Sequence, residues 1–209
     1  LIPQYNTRAR IAAGSPSFTL GVSQPPTPVL NIVGGTSVTQ RSTSYVLTYV
    51  SAYGEEGPPS GPVLGTGKVD ASWNLTWTAP DPNDLGIKRN LTLVRIYRTV
   101  TALDGTTTYF FVDEKPIATV AYSDTKTDAA VSLNELLSST TWSGPPDDMV
   151  GIISLSNGML AGFRANEVWF CEPYRPHAWP AQYTITTEFP IVGLGVMGQT
   201  LVVMTQGYI

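Results

Sequence analysis

Reactive side chains are few in this sequence of 209 residues, which contains one cysteine, Cys171, and one histidine, His177. A single cysteine excludes an internal disulfide bond and a zinc site built from several cysteines. A catalytic triad would need His177 as its base, yet no Gly-x-Ser-x-Gly motif precedes a helix. We therefore expect a protein that is not an enzyme, with no catalytic residue, no cofactor and no bound metal ion.

Charged residues are also few, since they make up 13% of the chain and leave a net charge of −4 at pH 7. A protein that grips nucleic acid needs a basic face, which this balance does not provide. The longest apolar run, residues 191–197, contains glycines and is too short to span a bilayer. The chain starts without methionine or a signal-peptide pattern and stops inside a strand-like pattern, so we expect it to be part of a longer polypeptide.

The sequence does contain a series of β-strand patterns. Trp73, Leu75 and Trp77 alternate with other residues, which places all three on one face of a strand. A loop is expected at 81–86, and a helical turn or two only at 129–137. Further strands are predicted at 44–53, 91–100, 107–112 and 117–124. These patterns predict an all-β fold.

Two similar hairpin patterns follow in the last third of the chain. The first has Asn157-Gly158 at its turn, which is a strong hairpin signal, and the second has Gly198-Gln199. The two turns are about 40 residues apart, which is the period of β-propeller blades. Two more strand patterns lie between them, so one blade and the start of another are predicted. An ordinary meandering antiparallel sheet is the alternative.

The stretch "CEPYRPHAWP", residues 171–180, gathers the scarce residue types. Its prolines, Pro173, Pro176 and Pro180, remove backbone donors, so the stretch cannot be a central strand. We expect a rigid connection that packs on the sheet or on a neighbouring subunit. The candidate packing and interface residues are Trp169, Tyr174, Arg175, His177 and Trp179.

Other assignments of these residues remain open. Cys171 and His177 could form a thiolate pair, although a half-buried core cysteine is favoured. A hydrolase built on a propeller would need acidic residues converging near His177. Four tryptophans could stack on sugars, although such side chains more often pack a sheet: Trp73, Trp77, Trp169 and Trp179.

Four stretches, in this order, resemble the nozzle or tail tubular type of tail protein in short-tailed phages: residues 45–60, 89–100, 107–125 and 157–180. The resemblance implies a virion structural protein at the distal end of the tail, assembled in the host cytoplasm and without enzymatic activity. It implies a homo-oligomeric ring, commonly a hexamer, through which double-stranded DNA passes without sequence readout. The implied neighbours are other tail proteins, such as an adaptor and fibres, and the host surface.

The middle of the chain also resembles a fibronectin type III sandwich. The stretch "YVSAYGEEGPPS" is similar to a late strand and turn of that fold, yet here it precedes "RIYRT" and "AYSDT", which are similar to middle strands. The order is therefore permuted, or the similarity is that of β-strands in general.

The predicted architecture is an immunoglobulin- or fibronectin III-like β-sandwich plus part of a β-propeller-like platform. The predicted units are an extended N-terminal linker at 1–28, the sandwich at 29–140 and the propeller-like portion at 141–209. The predicted function is a subunit of the tail nozzle or tail tube that serves genome ejection and tail assembly. The alternative is a carbohydrate-binding or adhesion module.

Overall fold

The computed structural model describes residues 7–8, 18–86, 88–101 and 107–207. In this part of the chain the protein is predominantly β, which confirms the all-β prediction at this level. The strands are β1 (Thr7–Arg8), β2 (Phe18–Thr19), β3 (Val29–Val33), β4 (Gln40–Ser51), β5 (Val63–Lys68), β6 (Ser72–Thr76), β7 (Leu91–Thr101), β8 (Thr107–Pro116), β9 (Ala121–Asp124), β10 (Val150–Ser154), β11 (Leu160–Arg164), β12 (Glu167–Phe170), β13 (Thr184–Thr186), β14 (Ile191–Met197) and β15 (Thr200–Thr205). The helices are α1 (Pro82–Gly86) and α2 (Asp128–Val131), with a 3-10 turn at Ala181–Tyr183. Neither of these helices is long and apolar enough to cross a membrane.

Seven strands form two sheets that share one core, here called the sandwich. One sheet has the order β5-β4-β7-β8 and the other has the order β3-β6-β9, with all neighbours antiparallel. Tyr45 and Leu47 on β4 meet Trp73 and Leu75 on β6 in this core. The predicted alternation is confirmed, because Trp73, Leu75 and Trp77 are all buried. Burial of these apolar side chains is the main source of stability in such a sandwich.

Strands β3 and β5 were not predicted, and they close one edge of the sandwich. Leu30 and Ile32 on β3 reach over Gly65 and Gly67 on β5 and pack beside Trp73. A Cβ at Gly65 would collide with the Leu30 side chain. Glycine is a poor strand former, but here its missing side chain lets the two edge strands approach each other.

The helical segments follow capping rules. The prediction of a loop at 81–86 is wrong, because α1 begins there with Pro82 in its first turn. The Asp81 carboxylate accepts a hydrogen bond from the backbone N–H of Asn83 at 2.9 Å, as an N-cap does. The predicted helical turn at 129–137 is confirmed in part by α2, where the Thr127 hydroxyl accepts from Ala130 at 3.3 Å.

A buried ionic cluster joins the two sheets of the sandwich. Arg98 on β7 and Asp124 on β9 are both fully buried, with Arg98 Nε 2.9 Å from Asp124 Oδ2. The Tyr45 hydroxyl donates to the same carboxylate oxygen at 2.7 Å, and the Lys126 N–H donates to Oδ1 at 2.9 Å. The Asp124 carboxylate of one sheet is therefore held by two side chains of the other sheet and by the backbone that follows β9.

The last third of the chain forms a second unit, here called the sheet unit. Strands β10-β11-β12-β13 make an antiparallel sheet in chain order, and β14-β15 form a separate hairpin beside it. Both predicted hairpins are confirmed, with Gly158 and Gly198 in the left-handed region at φ 79° and 64°. Met149, Cys171 and Trp179 are fully buried in the core of this unit.

The predicted linker at 1–28 lies partly outside the described residues. From residue 18 onward it is packed rather than free, because Phe18, Leu20 and Val22 are buried. Gln24 donates a side-chain hydrogen bond to the Pro59 carbonyl at 2.6 Å. Residues 18–28 therefore pack against the folded units.

Alkaline pH should unfold the protein through its buried tyrosines. Burial, then the charge of Asp124, raises the pKa of Tyr45 above its ordinary 10.0, and burial raises that of Tyr49 to about 12. Burial, then the charge of Glu56, raises that of Tyr97. The stability from these neutral hydroxyls is complete below pH 10 and is lost as pH rises toward the raised pKa values. Tyrosinate absorbance should rise together with the loss of near-ultraviolet circular dichroism; ionisation of all tyrosines before unfolding would contradict this expectation.

Replacing Arg98 with methionine should destabilise the sandwich by about 3 to 5 kcal/mol, because the buried charge of Asp124 would lose its nearest cation and keep only Arg41, 4.0 Å away. Chemical denaturation followed by tryptophan fluorescence measures this loss. Arg164→Met is the matched control, because Arg164 pairs with Glu167 at 2.8 Å on the surface and should contribute little. Equal losses in the two variants would show that the buried pair has no special role.

Candidate functional site

The stretch singled out by the sequence, residues 171–180, is a compact loop between β12 and the 3-10 turn before β13. We call it the proline loop. The Glu172 N–H donates to the Ala178 carbonyl at 2.8 Å, and the Arg175 N–H donates to the Glu172 carbonyl at 3.0 Å. The Ala178 N–H donates back to Arg175 at 3.0 Å. These bonds, together with its prolines, fix the shape of the loop.

The proline loop is anchored to other elements at two places. The Tyr174 N–H donates to the Gly158 carbonyl at 2.8 Å, which ties the loop to the turn of the β10-β11 hairpin. Tyr174 has φ 59°, and its ring lies against Gly158 with the side chain 81% exposed. At the C-terminal end of the loop, Trp179 is fully buried and its backbone N–H donates to the Ser143 carbonyl at 2.8 Å.

Trp142 is the centre of the site, and it is not among the candidate residues predicted from the sequence. The Arg175 guanidinium lies 4.3 Å from the centre of its ring, which is a cation–π contact. The His177 ring meets it edge to face at 5.8 Å and 79°. Trp142 and His177 are buried and Arg175 is exposed, so the arginine lies on the surface side of the Trp142 ring. The position of Trp142 at the predicted boundary between the sandwich at 29–140 and the portion at 141–209 was the available signal.

His177 also contacts the sandwich. Its Nδ1 lies 3.8 Å from Oε1 of Glu55, which sits in the turn after β4, and both side chains are largely buried. The Ser51 hydroxyl donates to the other oxygen of Glu55 at 2.9 Å. The proline loop therefore touches both units of the chain.

The neighbouring acid, Glu56, points elsewhere. Its Oε1 accepts hydrogen bonds from Thr48 at 2.6 Å and Tyr97 at 2.8 Å, and its Oε2 accepts from Arg95 at 3.0 Å. Glu55 and Glu56 thus have different partners, one at the junction and one on the sandwich. They do not form a carboxylate pair across a cleft, which a glycosidase requires.

The remaining candidate, Trp169, stands apart from this cluster on β12. It is half-buried, its Nε1 donates to Glu167 at 3.0 Å, and the Arg164 guanidinium lies 5.7 Å from its ring centre. The structure thus gathers Arg175, His177 and Trp179 around the chain at 142–143. It does not gather Trp169 or Tyr174 with them.

The cysteine has the character of a core residue. Cys171 is fully buried, the Leu160 N–H donates to its sulfur at 3.0 Å, and burial raises the pKa of the thiol. A raised pKa disfavours the thiolate that nucleophilic chemistry needs. Among the described residues, no three His, Cys, Asp or Glu side chains lie close enough to bind a metal ion together.

The tryptophans proposed as a sugar platform have no exposed ring to offer. Trp73 and Trp179 are fully buried, and Trp77 is 7% exposed. Trp169 alone of the four is half-buried, and Arg164 lies over its ring. A stacking surface of several tryptophans is therefore not present in the described part of the chain.

Comparison with protein-family models finds no match for this chain, and comparison with curated proteins finds none either.

Replacing Trp142 with alanine should cost about 3 to 5 kcal/mol of unfolding free energy, because it removes a buried ring and its contacts with Arg175 and His177. Urea unfolding monitored by circular dichroism measures the loss. Tyr174→Asn is the control, because that side chain is exposed and asparagine accepts its positive φ. A Trp142→Ala variant as stable as this control would show that the cluster is not a structural brace.

Proposed function

We propose that this chain is a structural subunit of a phage tail, of the nozzle or tail tube kind, rather than an enzyme. The observation that carries the proposal is that the single histidine and the single cysteine are both buried in packing contacts. The single histidine packs on Trp142 beside Glu55, and the single cysteine lies in a closed core. The proline loop, which belongs to one of the four stretches that resemble the tail-protein family, thus makes contacts with both units, as expected of a rigid structural part.

A finer architecture goes with this proposal. The sandwich is of the fibronectin III type with its β4-β5 hairpin moved ahead of β6 to β9 in the chain. The permuted order expected from "YVSAYGEEGPPS" supports this assignment, because that stretch forms the end of β4 and the turn toward β5. The sheet β10 to β13 is one propeller-like blade and β14-β15 begins another, which the repeated two-strand hairpin supports.

The proposed assembly is a homo-oligomeric ring, commonly of six copies, around the DNA channel. The net charge of −4 supports passage of DNA without binding, because a basic lining would hold the phosphates. Residues 189–205 contain no charged side chain, and β14-β15 expose apolar side chains such as Met197 and Met204. A neutral surface of this kind is typical of one that neighbouring subunits or other tail proteins cover.

The mechanism under this proposal is mechanical. A closed ring holds the channel, an adaptor and fibres attach to it, and contact with the host surface triggers opening and genome ejection. Rigid joints within each subunit would carry the movement from the outer units to the channel. No chemical step by this chain is part of the proposal.

Electron microscopy and mass spectrometry of purified phage particles test this function. The chain should be present in tailed particles, in a closed ring on the tail axis, and absent from tailless capsids of the same preparation. Finding it only as a soluble monomer outside the particles would overturn the proposal. Binding of the isolated chain to glycans on an array would instead favour the adhesion module.

A further inference from the structure

The described N-terminal segment, residues 18–22, runs between the two units and contributes to both cores. Leu20 is buried in the core of the sheet unit with Met149 and Trp179. Val22, two residues later, is buried in the core of the sandwich. Because alternate residues of an extended chain point in the same direction, the turn at Gly21 between them is what sends the two side chains into different cores.

Polar contacts hold the same segment to the sandwich. The Thr19 N–H donates to the Lys88 carbonyl at 2.6 Å, and Arg89 Nη1 donates to the Gly21 carbonyl at 3.0 Å. Arg89 is itself held by Asp84, 3.2 Å from its Nε. The Phe18 ring lies 6.0 Å from that of Tyr53, in the turn after β4.

Gly21 is the point of closest approach to the sheet unit. Its φ is 99°, a backbone conformation that residues with side chains rarely adopt. A Cβ at this position would lie 2.7 Å from the Gly144 Cα and 3.3 Å from Pro145 Cδ. The first distance is to backbone, which cannot turn away as a side chain could. Any residue other than glycine must therefore push the segment off the chain at 144–145.

We propose that residues 18–22 form a strap that makes the sandwich and the sheet unit unfold as one cooperative body. Each core lacks one buried apolar side chain unless the strap is in place, so opening of either unit exposes surface in the other. Gly21 is the residue that lets Leu20 enter one core and Val22 the other. The strap is separate from the contact between His177 and Glu55, and the inference does not depend on the proposed tail function.

The full chain offers a separate reporter for each unit. Cys171 is the single cysteine and is fully buried in the core of the sheet unit, so its reaction with a thiol reagent under native conditions reports opening of that unit. Hydrogen exchange of the β4 and β7 amides reports opening of the sandwich. In the unaltered chain, the two openings should have the same free energy, because both require global unfolding.

Gly21→Ala should separate the two reporters. We expect Cys171 to be labelled on the order of ten times faster or more, while the protected amides of β4 and β7 exchange almost as slowly as before. Leu20→Ala removes the other contact and should act in the same direction, which keeps the test valid if Gly21→Ala does not fold. Equal acceleration of both reporters, or no change in either, would overturn the strap.

Two matched glycine variants serve as controls. A Cβ at Gly144 would lie 3.6 Å from the Gly21 Cα, an ordinary contact, so Gly144→Ala should leave both reporters nearly unchanged. Gly54 has φ 73° with open space around it, so Gly54→Ala adds backbone strain without a clash. Because this strain destabilises the folded chain, it should speed both reporters together. A separation of the reporters in either control would contradict the proposed role of the contact at Gly21.

Discussion

The buried pair of Arg98 and Asp124 is the constraint on which the sandwich depends. The two side chains come from different sheets, both are fully buried, and the ions are 2.9 Å apart. A buried charge without its partner is very unfavourable, so neither sheet can slide or separate without breaking the pair. Arg41 links this pair to the adjoining core, because its Nη2 lies 4.0 Å from Asp124 Oδ2 and its guanidinium lies 4.5 Å from the Trp73 ring centre. Ionic and apolar packing thus fix the same relation between the sheets.

The strands that the sequence predicted are those whose own pattern determines their burial. Trp73, Leu75 and Trp77 alternate, and that period of two is sufficient to place them in a core. Strand β5 was not predicted, for a physical reason. Gly65 and Gly67 weaken any local strand signal, and their value lies in the close approach of Leu30 and Ile32, which only the assembled edge reveals.

The candidate site, like the fold, was predictable only where the local sequence determines the structure. Proline content indicated a rigid loop, and the loop is indeed held by its own backbone hydrogen bonds and by Ser143 and Gly158. Trp142 and Glu55 were not predicted as its partners, because they lie far from it in the chain and their own surroundings have the composition of a turn. A contact between distant segments leaves no period in either of them, so Glu55 could not be told from a solvated acid.

The distribution of charge connects the fold to the proposed assembly. The chain has few ionisable residues, and several of them lie inside it: Arg41, Arg98, Asp124 and Glu56 are buried. These four charges do not reach the surface, and the hairpin β14-β15 contributes no charged side chain. A protein that works alone in water usually keeps its charges outside. Ionic groups buried between the two sheets, together with a hairpin that carries no charge, support the proposal that neighbouring subunits complete this chain.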